Sequence, residues 1–163
     1  MKSRMRPAHL LCLVVLLAGC RETTGLTRPA AANAPRSITP KLLVHDDTGS
    51  TALVTLALDV SGNVGTLGSF TGRLHFNPAS LQYDSEVPIG DGTTRAVNHV
   101  GDVIRVAGIS TSGINAARLI TFRFRVIDKA ALETMRFELE EVHESSATNL
   151  LSLVRSPSLV RVP

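Results

Sequence analysis

From residue 41 onward, apolar and polar side chains alternate one by one, and no apolar stripe of helical period runs long enough to bury a helix. Successive side chains of a β-strand point to opposite faces, so this pattern calls for short strands with one buried and one wet side. In residues 52–60, Val54, Leu56, Leu58 and Val60 share one side and Thr55, Ala57 and Asp59 the other. In 69–76, Phe70, Gly72, Leu74 and Phe76 oppose Ser69, Thr71, Arg73 and His75. Ile104 and Val106 alternate with Val103, Arg105 and Ala107 in 102–108. In 118–128, Ile120, Phe122, Phe124 and Val126 face inward, with Thr121, Arg123 and Arg125 toward water. Met135, Phe137 and Leu139 oppose Arg136, Glu138 and Glu140 in 134–142. Weaker strands are expected near 42–46, 80–85, 94–99, 149–154 and 158–162, separated by Gly, Pro, Asn and Asp. About nine short strands with Phe, Leu, Val and Ile inward describe an all-β protein, a β-sandwich with all five phenylalanines in its core.

Composition narrows the function. The formal charge of +3 comes from Lys2, Arg4 and Arg6, because the other Lys and Arg balance the 14 acidic residues. A near-neutral domain lacks the dense basic surface that displaces counterions from nucleic acid. Cys12 and Cys20 both precede the strands, which excludes a disulfide, a thiolate metal site or a cysteine nucleophile within the sandwich.

Residues 1–6 are cationic and 8–18 are apolar apart from His9, a run too short for a bilayer-spanning helix, which needs about 20 residues. The run ends in Leu17-Ala18-Gly19-Cys20, which resembles the bacterial lipobox. That resemblance implies a signal peptide over 1–19 and lipidation of Cys20, which would become the new N-terminus. Two acyl chains anchor stably where one does not. Residues 20–40, with three prolines, read as the lipidated cysteine and a flexible tether, and 41–163 as the domain. The expected location is the cell envelope. Arg21 does not resemble the aspartate associated with inner-membrane retention, so an outer membrane is favoured where the host has two.

No motif in the strands carries catalysis. Gly108-Ile-Ser-Thr-Ser superficially resembles a nucleophile elbow, but Ser112 stands where Gly-x-Ser-x-Gly needs glycine. His45, His75, His99 and His143 are scattered without ligand spacing, so no metal or cofactor is implied. Asp46-Asp47 and Gly90-Asp91-Gly92 are turn carboxylates that would contribute to a calcium site only if brought together with carbonyls. Gly62, Gly65 and Gly68 mark a hairpin or bulge.

The segment GSFTGRLHFNPASLQYD (68–84) resembles the cohesin domain, in which an alternating strand runs into an aromatic-Asp/Asn-Pro turn and a leucine opens the next strand. IRVAGISTSG (104–113) and LITFRFRV (119–126) resemble that family's later strands in order and spacing. The resemblance covers roughly 50–163 and implies a cohesin-like jelly-roll sandwich of about nine strands, related to certain carbohydrate-binding modules. Cohesins are non-catalytic and bind dockerins, small calcium-loaded helical modules. The resemblance therefore implies a dockerin-like protein partner, with a polysaccharide-binding module or a structural envelope lipoprotein as alternatives.

The partner-binding surface of cohesins is one sheet face. By strand order it maps to 69–76, 94–99, 102–108 and 134–142, with Arg73, His75, Arg105, Arg136, Glu138 and Glu140 outward. The bland alternative is a solvated face with ion pairs worth a few tenths of a kcal/mol each. For a sugar ligand, the chain's single tyrosine, Tyr83, is the candidate stacking platform.

Overall fold

The computed structural model describes residues 35–46 and 49–162. The export signal, Cys20, most of the expected tether and Asp47 lie outside them. Nine strands form two sheets: β1 (Ser37–Asp46), β2 (Thr51–Ser61), β3 (Leu67–His75), β4 (Leu81–Val87), β5 (Thr94–Val100), β6 (Val103–Ile109), β7 (Ile120–Val126), β8 (Arg136–Glu144) and β9 (Ser158–Val162). One sheet has the order β4-β7-β2-β1-β9 and the other β5-β6-β3-β8. All pairings are antiparallel except β1 with β9. The fold is thus the expected all-β sandwich of nine strands.

The inward set matches the alternation. Val54, Leu56, Leu58, Phe70, Leu74, Phe76, Ile104, Val106, Phe122, Phe124, Met135, Phe137 and Leu139 are all buried in one core cluster. Every phenylalanine belongs to it. Two of the rings lie over glycines. A Cβ at Gly108 would sit 2.3 Å from Phe70 Cε1, and one at Gly72 would sit 2.7 Å from Phe137 Cε2. Both glycines face the core because only a hydrogen there leaves room for the ring.

The turns follow from their residues. Asn77 Oδ1 accepts the amide of Ala79 at 3.1 Å, and the Asn77 carbonyl accepts that of Leu81 at 2.8 Å, so the Asn-Pro step folds back and delivers buried Leu81 into β4. The β5–β6 hairpin turns through Gly101 and Asp102. Gly101 has φ of 61°, a conformation favouring glycine, at the first central position of the turn.

Three expectations differ from the structure. Residues 149–154 form no strand: Leu151–Leu153 is a 3₁₀ turn, flanked by the single bridges His143 to Asn149 and Ile38 to Val154. Asn149 Oδ1 accepts the Leu151 amide at 2.8 Å, and this local bond curls the chain out of the ladder. Thr121 is buried rather than facing water, and so is Thr55. The two stand opposite each other in a row running Val87, Thr121, Thr55, Leu43, where aliphatic neighbours shield them and their hydroxyls bond at 2.8 Å. Finally, β1 begins at Ser37 and buries Ile38 and Pro40, residues the sequence reading gave to the tether.

Filling the space beneath Phe70 tests this packing. Gly108→Ala is expected to destabilise the fold by about 1–3 kcal/mol, the usual cost of overpacking a close-packed core. Urea unfolding measures it, and an unchanged midpoint would show that the ring is free to move aside.

Candidate binding face

The four strands assigned to one face by sequence order do form one sheet, and their pairing register turns its outer side into a grid. Reading from β5 through β6 and β3 to β8, the rows are Thr94, Ile109, Ser69, His143; then Ala96, Ala107, Thr71, Glu141; then Asn98, Arg105, Arg73, Glu138; then Val100, Val103, His75, Arg136. All six sequence-predicted face residues therefore share one surface. Glu140 is the extra residue of a bulge in β8, because Thr71 pairs with Glu141 while Gly72 pairs with Leu139. The bulge puts Glu140 and Glu141 on the same side.

Charge is unevenly matched across the grid. Arg73 forms an ion pair with Glu140 through Nη2 and Oε1, and His75 Nε2 lies 3.5 Å from Glu138 Oε2. These groups are partly solvated, so each pair contributes little to stability. Among the described residues, the guanidinium groups of Arg105 and Arg136 make no ion pair. Two shallow hollows meet at Arg105 and Asn98. One, of about 370 Å³, is floored by the small residues Thr71, Gly72, Ala96 and Ala107. The other, of about 320 Å³, lies between Arg73, Asn98, Arg105, Val100 and Val103.

Sequence reasoning did not single out Asn98, Glu141 or the row of small residues. Asn98 shares strand parity with exposed Ala96, which was legible in the sequence. Glu141 was not, since strict alternation places it inward; the adjacent pair Glu140-Glu141 is the only trace of the bulge.

Tyr83 lies elsewhere, on β4 of the opposite sheet. Its ring centroid is 5.0 Å from His99, 5.7 Å from Phe122 and 6.0 Å from Phe124. The half-buried tyrosine thus closes the edge of the sandwich between β4 and β5. Burial, reinforced by Glu86 and Asp84, raises its phenol above the ordinary range. Every described phenylalanine is buried, so no Phe, Tyr or Trp ring stands on the four-stranded face.

The turn carboxylate Asp91 is committed to Arg95. Its Oδ2 accepts Arg95 Nη2 at 2.6 Å, and its Oδ1 accepts Arg95 Nη1 at 2.9 Å and the Thr93 amide at 3.1 Å. Arg95 Nε also donates to the Leu119 carbonyl at 2.6 Å, tying β5 to the segment entering β7. Asp46-Asp47 as a calcium contributor falls on a side chain and a residue outside those described. Among the described residues, no cluster of three His, Cys, Asp or Glu is placed to hold a metal ion. Ser110 and Ser112 bond to each other, Oγ to Oγ, at 3.2 Å.

No protein-family model matches the sequence. No curated protein matches it either. Solved structures do match in fold. A non-cellulosomal cohesin from the archaeon Archaeoglobus fulgidus superposes with a TM-score of 0.56 at 16% identity, covering 78% of this chain and 92% of that one. A cohesin from Clostridium thermocellum, solved as a type I cohesin–dockerin complex, gives 0.54 at 13% identity, with 77% and 99% coverage. The cohesin module of a family 33 glycoside hydrolase from Clostridium perfringens gives 0.53 at 12%, with 78% and 98% coverage.

The Arg95 bonds hold the Asp91 carboxyl well below the usual carboxylate range. A depressed pKa means that the pair stabilises the fold fully above the ordinary carboxylate pKa and loses that stabilisation as pH falls below it. Asp91→Asn should therefore lower the thermal midpoint at neutral pH. The gap from the parent should narrow as pH drops below about 4. Thermal unfolding across pH 2–8 reads this, and a gap independent of pH would mean that the carboxylate charge contributes nothing.

Proposed function

We propose that this chain is a non-catalytic binding protein of the cell envelope, anchored through a lipid on Cys20, whose sandwich attaches a dockerin-type protein partner. The partner docks on the β5-β6-β3-β8 face. The observation that carries this reading is the outer grid itself. A wide, shallow sheet surface with small residues at its centre and charges of both signs around them suits a flat protein contact, where charge pattern sets orientation and encounter rate. The cohesin fold supports the reading, as does the complex with dockerin in which one structural neighbour was solved.

The full chain, immobilised and exposed to a panel of calcium-loaded dockerin modules, tests the docking. Saturable retention that disappears on calcium chelation is expected. Ala96 is exposed on the edge strand β5, at one end of the row of small residues, so Ala96→Glu should weaken retention at least about tenfold, roughly 1.4 kcal/mol, without moving the thermal midpoint. Retention of no dockerin, or equal retention by the variant, would remove the proposed docking mode.

The anchor has an independent test in intact mass and fractionation. Wild-type protein should carry diacylglycerol on Cys20 and sediment with membranes, whereas Cys20→Ser should appear in the soluble fraction. An unmodified, membrane-free wild type would defeat the lipoprotein reading.

A further inference from the structure

In the third row of the grid, Arg105 on β6 stands directly opposite Arg73 on β3. Like charges directly opposite on a sheet repel, a cost that sequence selection on stability alone would remove. Only Arg73 has a carboxylate, Glu140, and its Nε is covered without an acceptor. Arg105 is exposed, and its guanidinium makes no ion pair or hydrogen bond among the described residues. The side-chain amide of Asn98, paired with Arg105 in the same row, is likewise unbonded. These three side chains border the hollow of about 320 Å³, whose remaining wall is Val100 and Val103.

We infer that this hollow is a carboxylate subsite, which receives an aspartate or glutamate side chain of the protein partner between Arg105, Arg73 and Asn98. The inference rests on the four-stranded face being the docking surface and adds what the partner must present there. A guanidinium donates to a carboxylate through charge-assisted hydrogen bonds, stronger than neutral ones, and the incoming negative charge also relieves the Arg73–Arg105 repulsion. Val100 and Val103 shield that contact from water on one side.

The neighbouring row extends the recognition element. Ala107 and Arg105 are two residues apart on one strand, so their rows are separated by roughly 7 Å. A partner segment bound in extended form, as distinct from a helical face, repeats the same spacing between alternate side chains. An apolar residue two positions from the acid therefore falls over Ala96, Ala107 and Thr71 while the acid enters the hollow.

Charge complementarity selects a protein over an acidic polymer. Glu138, Glu140 and Glu141 border the β8 side of the face and repel a ligand that carries many negative charges. No Phe, Tyr or Trp ring is available on this face to stack a sugar. The surface suits one acid flanked by apolar and basic groups.

The probes are Ac-Leu-Ser-Asp-NH₂ and Ac-Leu-Ser-Asn-NH₂, titrated at constant ionic strength into the isotopically labelled full chain while the arginine Nε–H resonances are followed by NMR. The Asp peptide should shift Arg73 and Arg105 saturably, and the Asn peptide should bind about tenfold more weakly, the loss expected for a charge-assisted bond. Arg105→Gln should weaken the Asp peptide to a similar degree. Arg123 and Arg125, exposed on the opposite sheet, serve as internal controls and should stay still. Equal responses to the two peptides, equal movement of Arg123 and Arg125, or no movement would overturn the subsite. Digalacturonate binding more tightly than the Asp peptide would overturn the assignment to a protein. The dockerin capture and its Ala96→Glu control do not depend on the arginines. A flat titration alongside successful capture therefore overturns the subsite alone, and a positive titration without dockerin retention supports the subsite with a different acidic protein as its occupant.

Discussion

Two aromatic rings laid over two glycines set the register on which the rest of this sandwich depends. Phe70 of β3 covers Gly108 of β6, and Phe137 of β8 covers Gly72 of β3, so the three strands β8, β3 and β6 are keyed to one another from the inside. Because side chains alternate, a slip of one residue in either pairing would send a buried ring into water and bring an arginine or glutamate into the core. The cost of such a slip far exceeds the weak cross-strand attractions on the outer side. The outer grid is therefore a consequence of inner packing, and the face can carry unfavourable charge pairs without endangering the fold.

That separation explains which parts were legible in the sequence. Faces could be assigned wherever one side of a strand meets the core, since burial imposes the two-residue period directly. The inward placement of all five phenylalanines followed from it, whereas the grouping of four strands into one face followed from the resemblance to cohesins in strand order. What alternation cannot encode is a break in itself. The bulge at Glu140 and Glu141 breaks the period, and its only signature is two adjacent polar residues. Burial of Thr55 and Thr121 depends on their neighbours Val87 and Leu43, residues of other strands brought alongside by the sheet order. The turn at 149–154 is decided by one Asn149 side-chain bond that competes with the ladder. Joining Asn98 to the two arginines likewise required the pairing register, because the three come from three strands.

Arg95 and Arg105 show how differently one residue type behaves on the two sides of a sheet. Arg95 points inward from β5, with its side chain only 5% exposed, and receives a bidentate carboxylate and two carbonyls. A buried guanidinium left short of acceptors would be strongly unfavourable, so the loop at Gly90-Asp91-Gly92 is shaped around it. Arg105, one strand over and pointing outward, is bound by no such requirement. Water satisfies it, and its charge contributes nothing to holding the sandwich together.

An arginine that stability does not require, placed opposite a second arginine, differs from a surface charge that merely keeps a protein soluble. Solubility is served equally well by spacing like charges apart, whereas here two arginines stand opposite each other. Concentrating positive charge in a hollow instead raises the local potential where a ligand can be partly shielded from water, which strengthens each electrostatic contact made there. The glutamates along β8 then act in the opposite sense, rejecting ligands whose negative charge extends beyond the hollow. Attraction at one point and repulsion beside it is how a modest surface discriminates among partners of similar size.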